Sequence, residues 1–166
     1  MQVNIKKLSP EAVTPTYAKH GDMGMDLTAT SKYYDEHGNV CYGKSLSFEI
    51  PNGYGGFLFL RSSNTKKDLI LGNSVGVLDS GYRGEVVFKF KPNANVFKSD
   101  GSVKELHAIT LESYEVGDRI GQIIILPYPK IEFVEVDELS SSDRGVGGFG
   151  STDPITKSIE DNLNVG

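Results

Sequence analysis

Apolar positions in this chain fall into short runs separated by Gly, Pro, Asn and Asp clusters, and helical 3.6-residue spacing is absent. Such punctuation predicts an all-β fold of the sandwich, jelly-roll or barrel kind. Strands are expected at 3–8, 25–30, 45–50, 54–60, 84–91, 107–111, 119–126 and 131–136, with one helical turn at 62–68. Phe57-Leu58-Phe59-Leu60 is apolar on both faces, which predicts a strand covered from both sides. From Glu85 onward Val86, Phe88 and Phe90 alternate with Glu85, Val87 and Lys89, the pattern of a strand with one buried face. Two turns stand at Asp35-Glu36-His37-Gly38-Asn39, between two Tyr-bearing edges, and at Pro51-Asn52-Gly53. Residues 72–85 read as a hairpin: Val75, Val77 and Leu78 are strand formers, Asp79-Ser80-Gly81 is turn composition, and a strand resumes at Glu85. The stretch 92–111 is the least patterned part of the interior.

Length and composition narrow this picture. A chain of 166 residues suits a single domain with its own core. Residues 1–139 are expected to form the β core and residues 140–166 a Gly-rich arm and tail of the same domain. Cys41 is the single cysteine, and His20, His37 and His107 lack metal-ligand spacing, which argues against a zinc site. The N-terminus has no signal-peptide core and no apolar run is long enough to cross a membrane, so a soluble, cytoplasmic protein is expected, in the host cytoplasm if the source is viral. Seventeen Lys and Arg against 22 Asp and Glu give a net charge of −5, which disfavours polymeric nucleic acid as a partner. A small anion remains compatible, because the four arginines, Arg61, Arg83, Arg119 and Arg144, all stand in Gly-, Ser- or turn-rich segments.

Several segments carry candidate chemistry, each with a plain structural alternative. Asp79 is either an ordinary turn aspartate or a general base held in a tight corner. Arg61-Ser62-Ser63 is either an anion cradle or the N-cap of the helical turn. Gly121 and Gln122 interrupt a buried strand: the amide needs a partner, and the glycine marks close approach by a backbone or a ligand. Residues 145–150 spell G-x-G-x-x-G, but Pro154 and the short remaining chain rule out the βαβ unit that a dinucleotide fingerprint requires. That segment is either a mobile tail or a Gly-rich wrap for a phosphate with Phe149 laid over a base.

Five segments in order, Gly21-Asp22-Met23-Gly24-Met25-Asp26-Leu27, Arg61-Ser62-Ser63, residues 72–85, Gly117-Asp118-Arg119-Ile120-Gly121-Gln122 and residues 144–152, resemble the five motifs of the homotrimeric dUTPase family. The resemblance implies a distorted jelly-roll or β-clip barrel, assembled as a homotrimer whose active sites are shared between subunits. It implies hydrolysis of dUTP to dUMP and pyrophosphate with Mg²⁺. Asp79 would activate the attacking water. Asn73, Gly76, Val77, Tyr82 and Phe149 would hold uracil and deoxyribose, with Tyr82 leaving no room for a 2′-hydroxyl. Arg61, Ser62, Ser63, Gln122, Arg144, Gly148, Ser151 and Thr152 would hold the phosphates, and Asp26 would act on Mg²⁺ through water. For Arg83 and Arg119 an ion pair with an acid at a subunit interface is the competing role.

Two other readings share these motifs. A dCTP deaminase of the same fold would need a catalytic glutamate on the strand after the turn, near Lys89. A trimeric binding protein for a regulatory partner would use the longer connection at 92–111 as an extra docking element.

Overall fold

A computed structural model describes residues 1–93 and 111–147. Among the described residues ten strands are formed: β1 (Asn4–Lys7), β2 (Met25–Thr28), β3 (Ser31–Tyr34), β4 (Val40–Gly43), β5 (Leu46–Glu49), β6 (Tyr54–Leu60), β7 (Leu69–Leu71), β8 (Gly76–Leu78), β9 (Val87–Pro92) and β10 (Arg119–Pro127), with a 3₁₀ turn at Ser62–Lys66. All pairings are antiparallel and give three sheets, β1-β5, β2-β10-β6-β8 and β3-β4-β9-β7. This is the expected all-β, jelly-roll-like class. The chain divides into two compact units, Met1–Lys130 and Ile131–Gly166. No helix among the described residues is long and apolar enough to cross a membrane.

The sheet β2-β10-β6-β8 organises the first unit, because four of the five motif-like segments meet on it. Residues 21–27 end in β2, residues 117–122 open β10, Arg61 follows β6 directly, and residues 72–85 contain β8. Segments far apart in sequence thus become adjacent strands. Gln122 is opposite Asp26 on one side and Phe59 on the other, while Phe57 faces Val77 across β6 and β8. Ile120 is the extra residue where β10 slips register against β2. Gly121 beside it has no room for a side chain, since a Cβ would run into the Phe88 ring and stand 2.9 Å from the Phe59 carbonyl.

The core lies between the sheets. Tyr42, Phe88, Phe90, Leu27, Leu46, Ile120 and Ile123 are fully buried, and Tyr42 meets Phe90 edge-on at 5.7 Å between ring centres. The Tyr42 hydroxyl is satisfied inside this core: it donates to the Tyr114 carbonyl at 2.9 Å and accepts from the Tyr114 N–H at 3.2 Å. The alternation from Glu85 onward is realised, with Val86, Phe88 and Phe90 inward.

Four expectations need correction. Residues 72–85 are not a hairpin, because β8 pairs with β6 while β9 pairs with β4 and β7. The turn after β8 is a crossover between two sheets. Residues 131–136 form no strand, and Ile131, Phe133, Val134 and Val136 are exposed; a strand needs a partner edge, and none of the described residues supplies one. The Phe57-Leu58-Phe59-Leu60 strand is covered less completely than expected, with Leu58 buried and Phe57, Phe59 and Leu60 half-buried. Arg61, not Ser62, occupies the N-cap position of the 3₁₀ turn, with no side-chain cap. Strands β3, β4 and β7 were not expected as separate elements, although the 35–39 turn does join two Tyr-bearing strands. Of the expected strand at 107–111, residues 107–110 lie outside the described residues and Leu111 is not in a strand.

One core residue is costly. Lys44 is fully buried, its Nζ donates to the Tyr42 carbonyl at 3.1 Å, and it lies 5.0 Å from the Phe88 ring centre. Burial lowers its pKa to about 7, with the Glu85 carboxylate pulling weakly the other way. Because the unfolded chain holds this proton more tightly than the folded one, stability falls as pH drops from about 10.5 to about 7 and levels off below. Each pKa unit is worth about 1.4 kcal/mol. Lys44→Met is therefore expected to raise the melting temperature most near pH 6.5, with the gain shrinking towards pH 10 in thermal scans across that range. A gain that does not vary with pH would contradict the buried-charge cost.

Candidate active site

The turn after β8 is built from local constraints. The Asp79 carbonyl accepts from the Tyr82 N–H at 3.0 Å, closing a four-residue turn. Arg83 caps it, with Nη1 donating to the Ser80 carbonyl at 2.6 Å and the Tyr82 carbonyl at 2.9 Å, and Nη2 lying 3.5 Å from Glu49. The Tyr82 ring folds over Gly84, where a Cβ would collide with the phenol, and its hydroxyl donates to the Glu85 carbonyl at 3.1 Å. Asp79 itself is exposed, and its carboxylate has no hydrogen-bond partner among the described residues.

Beside this turn lies a cavity of about 510 Å³ lined by Asn73, Gly76, Val77, Leu78, Tyr82 and Glu85, with Leu58 below. Four residues expected to hold base and sugar are thereby brought together. Gly76 is needed in the wall, since a Cβ there would stand 2.9 Å from the Leu58 side chain opposite it. Val77 presents an exposed apolar surface and Ser74 holds a positive φ of 59° in the approach to β8.

A second group surrounds Asp26 on β2. Its side chain is only 10% exposed, and both oxygens face cations: Arg61 Nε is 3.0 Å from Oδ1 and Arg119 Nη1 is 3.0 Å from Oδ2. Gln122 Nε2 donates to Oδ1 at 3.4 Å. The Arg61 contact is an ion pair without hydrogen-bond alignment, so its Nε proton has no aligned acceptor. Gly24 leaves space for the Gln122 amide, because a Cβ there would lie 2.8 Å from Gln122 Oε1. Asp26, Arg61, Gln122 and Gly24 line a cavity of about 400 Å³ together with Lys19 and Asp22. Arg61 also lines a cavity of about 580 Å³ with Ser63, Lys66, Lys67 and Arg119, where Glu112 and Asp118 stand as well.

The expected residues thus divide into two groups. Asn73, Gly76, Val77 and Tyr82 surround one cavity, while Asp26, Arg61, Ser63 and Gln122 border two others. Ser62 is exposed at the start of the 3₁₀ turn. In the second unit, Arg144 Nε donates to the Gly147 carbonyl at 3.2 Å within a turn spanning 142–147. Gly148, Phe149, Ser151 and Thr152 lie outside the described residues, as do 94–110 of the expected partner-binding stretch. Arg83 and Arg119 pair with acids of their own chain, Glu49 and Asp26. Sequence reasoning missed Glu85 and Leu58 in the first cavity and the pairing of Asp26 with two arginines. No group of three His, Cys, Asp or Glu suited to caging a metal occurs among the described residues.

An antiparallel β fold with a nucleotide-sized cavity beside a free carboxylate, and arginines and serines nearby, defines a small-molecule-binding β protein equipped for phosphate esters. The dUTPase family model matches residues 10–100 and 107–153, and the chain belongs to the dUTPase family. Deoxyuridine 5′-triphosphate nucleotidohydrolase of Thermobifida fusca is 35% identical over 154 residues, covering 92% of this chain and 79% of the relative. That of Nautilia profundicola is 34% identical over 156 residues, covering 92% and 99%. Among solved structures, a dUTPase variant of Staphylococcus bacteriophage 80alpha with dUpNHpp matches with a TM-score of 0.72 at 26% identity, covering 91% of this chain and 98% of that one. A dUTPase variant from phage phi11 of S. aureus, described with a structural Mg(II) ion, matches with a TM-score of 0.65 at 25% identity, covering 83% and 98%.

Proposed function

We propose that this protein hydrolyses dUTP to dUMP and pyrophosphate, limiting uracil entry into DNA and supplying dUMP. What carries this reading is the cavity in which Asn73, Gly76, Val77 and Tyr82 stand beside the turn that begins at Asp79. Main-chain groups at Gly76 and Val77 and the Asn73 amide read the uracil edge, and Tyr82 lies against the deoxyribose. Asp79 takes a proton from the water that attacks the α-phosphorus in line, and pyrophosphate leaves. Arg61, Ser63 and Gln122, which border the other two cavities, bind the phosphates together with Ser62. Arg144, Gly148, Ser151 and Thr152 close on the phosphates and Phe149 on the base, as a lid formed by residues 140–166.

The separation of the two groups of residues within one chain supports a homotrimer in which each site draws on three subunits. The exposed Phe133, Val134 and Leu139 agree with a segment that is covered only on assembly. The donor set fits Mg²⁺ carried by the triphosphate: Asp26 is the carboxylate that pairs with Arg61, Arg119 and Gln122, and with its oxygens already paired it is left contact with the ion through water. When bound, Mg²⁺ supplies charge neutralisation on the phosphate oxygens. A cytoplasmic location agrees with this substrate.

Incubation with dUTP, dTTP, dCTP and UTP tests the reading: pyrophosphate is expected from dUTP alone, and ammonia release from dCTP would establish a deaminase instead. Tyr82→Ala is expected to raise kcat/KM for UTP relative to dUTP by about tenfold. Unchanged selectivity would exclude Tyr82 as the gate against the 2′-hydroxyl.

A second reading adds a protein partner at residues 92–111. The family match breaks between residues 100 and 107, and the phage phi11 dUTPase, with a TM-score of 0.66 to this chain at 25% identity, is described with a species-specific insert. A pull-down comparing the full chain with a deletion of residues 93–104 distinguishes this from hydrolysis alone.

A further inference from the structure

A corner outside all five motif-like segments grips the chain just after the active-site turn. Residues 43–47, where β4 passes into β5, make four hydrogen bonds to residues 83–86. The Ser47 hydroxyl donates to the Arg83 carbonyl at 2.6 Å, and the Ser45 N–H donates to Glu85 Oε1 at 2.7 Å. The Val86 N–H donates to the Leu46 carbonyl at 2.9 Å, and the Lys44 N–H to the Val86 carbonyl at 3.2 Å.

The corner is shaped for this carboxylate. Gly43 gives it room, since a Cβ there would stand 2.6 Å from Glu85 Oε1. Ser45 adopts a positive φ of 51°, unusual for a residue with a side chain, and this conformation accompanies an N–H bonded to the carboxylate. Its hydroxyl is in turn held by Thr30 Oγ1 at 2.9 Å. Ser47 is buried, with 5% of its surface exposed.

The other end of Glu85 faces the site. Its main-chain carbonyl accepts the Tyr82 hydroxyl at 3.1 Å, and Glu85 is among the residues that line the same cavity as Tyr82. Tyr82 is 46% exposed, so packing alone does not fix its ring. The bond to the Glu85 carbonyl and the close approach over Gly84 do so.

We infer that Glu85, clamped by the 43–47 corner, is a positioning residue that sets where the Tyr82 ring stands over the cavity and so determines discrimination against the 2′-hydroxyl. This rests on the dUTPase reading with Tyr82 as the gate. Glu85 touches no reacting atom; it acts through Tyr82, and the corner acts through Glu85.

The test compares kcat/KM for dUTP and for UTP in Glu85→Ala, Glu85→Gln, Ser47→Ala and Tyr82→Ala. Small displacements of a positioning group lower rates steeply, so Glu85→Ala is expected to shrink the dUTP/UTP ratio by roughly tenfold. Glu85→Gln keeps an acceptor for the Ser45 N–H and is expected to restore the ratio to within about threefold of the parent. Ser47→Ala, which removes one of the four bonds and no charge, is expected to move the ratio in the same direction by a smaller factor, and it carries the test should Glu85→Ala not fold. A folded Glu85→Ala, or a folded Ser47→Ala, with the parent ratio overturns the inference. If Tyr82→Ala relaxes selectivity and those variants do not, only the positioning role fails; if Tyr82→Ala itself leaves the ratio unchanged, the gate reading fails and the positioning role with it.

Discussion

Asp79→Asn is expected to lower kcat for dUTP by about a thousandfold while leaving nucleotide affinity within a few-fold of the parent, since a positioned general base contributes roughly 10²–10⁴ in rate. The substitution is nearly isosteric and spares the fold. The turn is closed by the Asp79 main-chain carbonyl accepting from the Tyr82 N–H, and further held by Arg83 on the Ser80 and Tyr82 carbonyls. None of these bonds uses the Asp79 side chain. The carboxylate is exposed and has no partner among the described residues, so it is available to a water and contributes little to stability. Steady-state kinetics with dUTP, together with the Kd of a non-hydrolysable analogue, checks the expectation. Near-parent turnover would remove Asp79 as the base, and lost binding with intact turnover per bound nucleotide would make it a substrate anchor instead.

The second large effect is expected at Asp26. Asp26→Asn leaves Arg61 and Arg119 converging on a neutral amide. Asp26 is 10% exposed and Arg61 27%, whereas Arg119 is 54% exposed and well screened. Removing one partner of a buried pair costs about 3–5 kcal/mol, and with Arg119 discounted for exposure a loss of roughly 2–3 kcal/mol is expected. Activity should fall as well, by about a hundredfold in kcat/KM, because the Asp26 carboxylate is paired with Arg61 and contacts Gln122, two residues proposed to hold the phosphates. Urea unfolding and kinetics on the same preparation measure both effects. A variant as stable and as active as the parent would reduce the cluster to ordinary surface pairing.

How much of this was legible in the sequence varies by element, for physical reasons. Strands β6 and β10 were read almost to the residue, because long apolar runs bounded by turns carry their own signal. Strand β7 is three residues long and β3, Ser31-Lys32-Tyr33-Tyr34, does not alternate, so neither offers a period to detect. Strand β4 is buried at all four positions, yet Val40, Cys41, Tyr42 and Gly43 make a run too short to separate from a loop. Residues 72–85 carry the composition of a hairpin without forming one, because turn composition and flanking strand formers are local properties. The choice of edge is not local: β8 joins β6 through contacts such as Gly76 against Leu58, while the following strand enters the other sheet through Phe88 and Phe90.

The site shows the same division. Asp79, Tyr82 and Arg61 were identifiable by resemblance, since their neighbours in sequence form the motifs. The pairing of Asp26 with Arg61 and Arg119 joins residues 35 and 93 positions apart, and the hold of the 43–47 corner on Glu85 spans 40. Such contacts exist only after the sheets assemble. Single-residue patterns contain no trace of them, apart from Gly24, Gly43 and Gly84, whose missing side chains turn out to be the spaces that Gln122, Glu85 and Tyr82 occupy.

The central event of the proposed reaction is attack of an Asp79-activated water on the α-phosphorus of dUTP. Hydrolysis of dUTP in ¹⁸O-enriched water, with mass analysis of both products, tests it directly. One ¹⁸O atom in dUMP and unlabelled pyrophosphate is the predicted result; label in the pyrophosphate, or no pyrophosphate from dUTP at all, would contradict it.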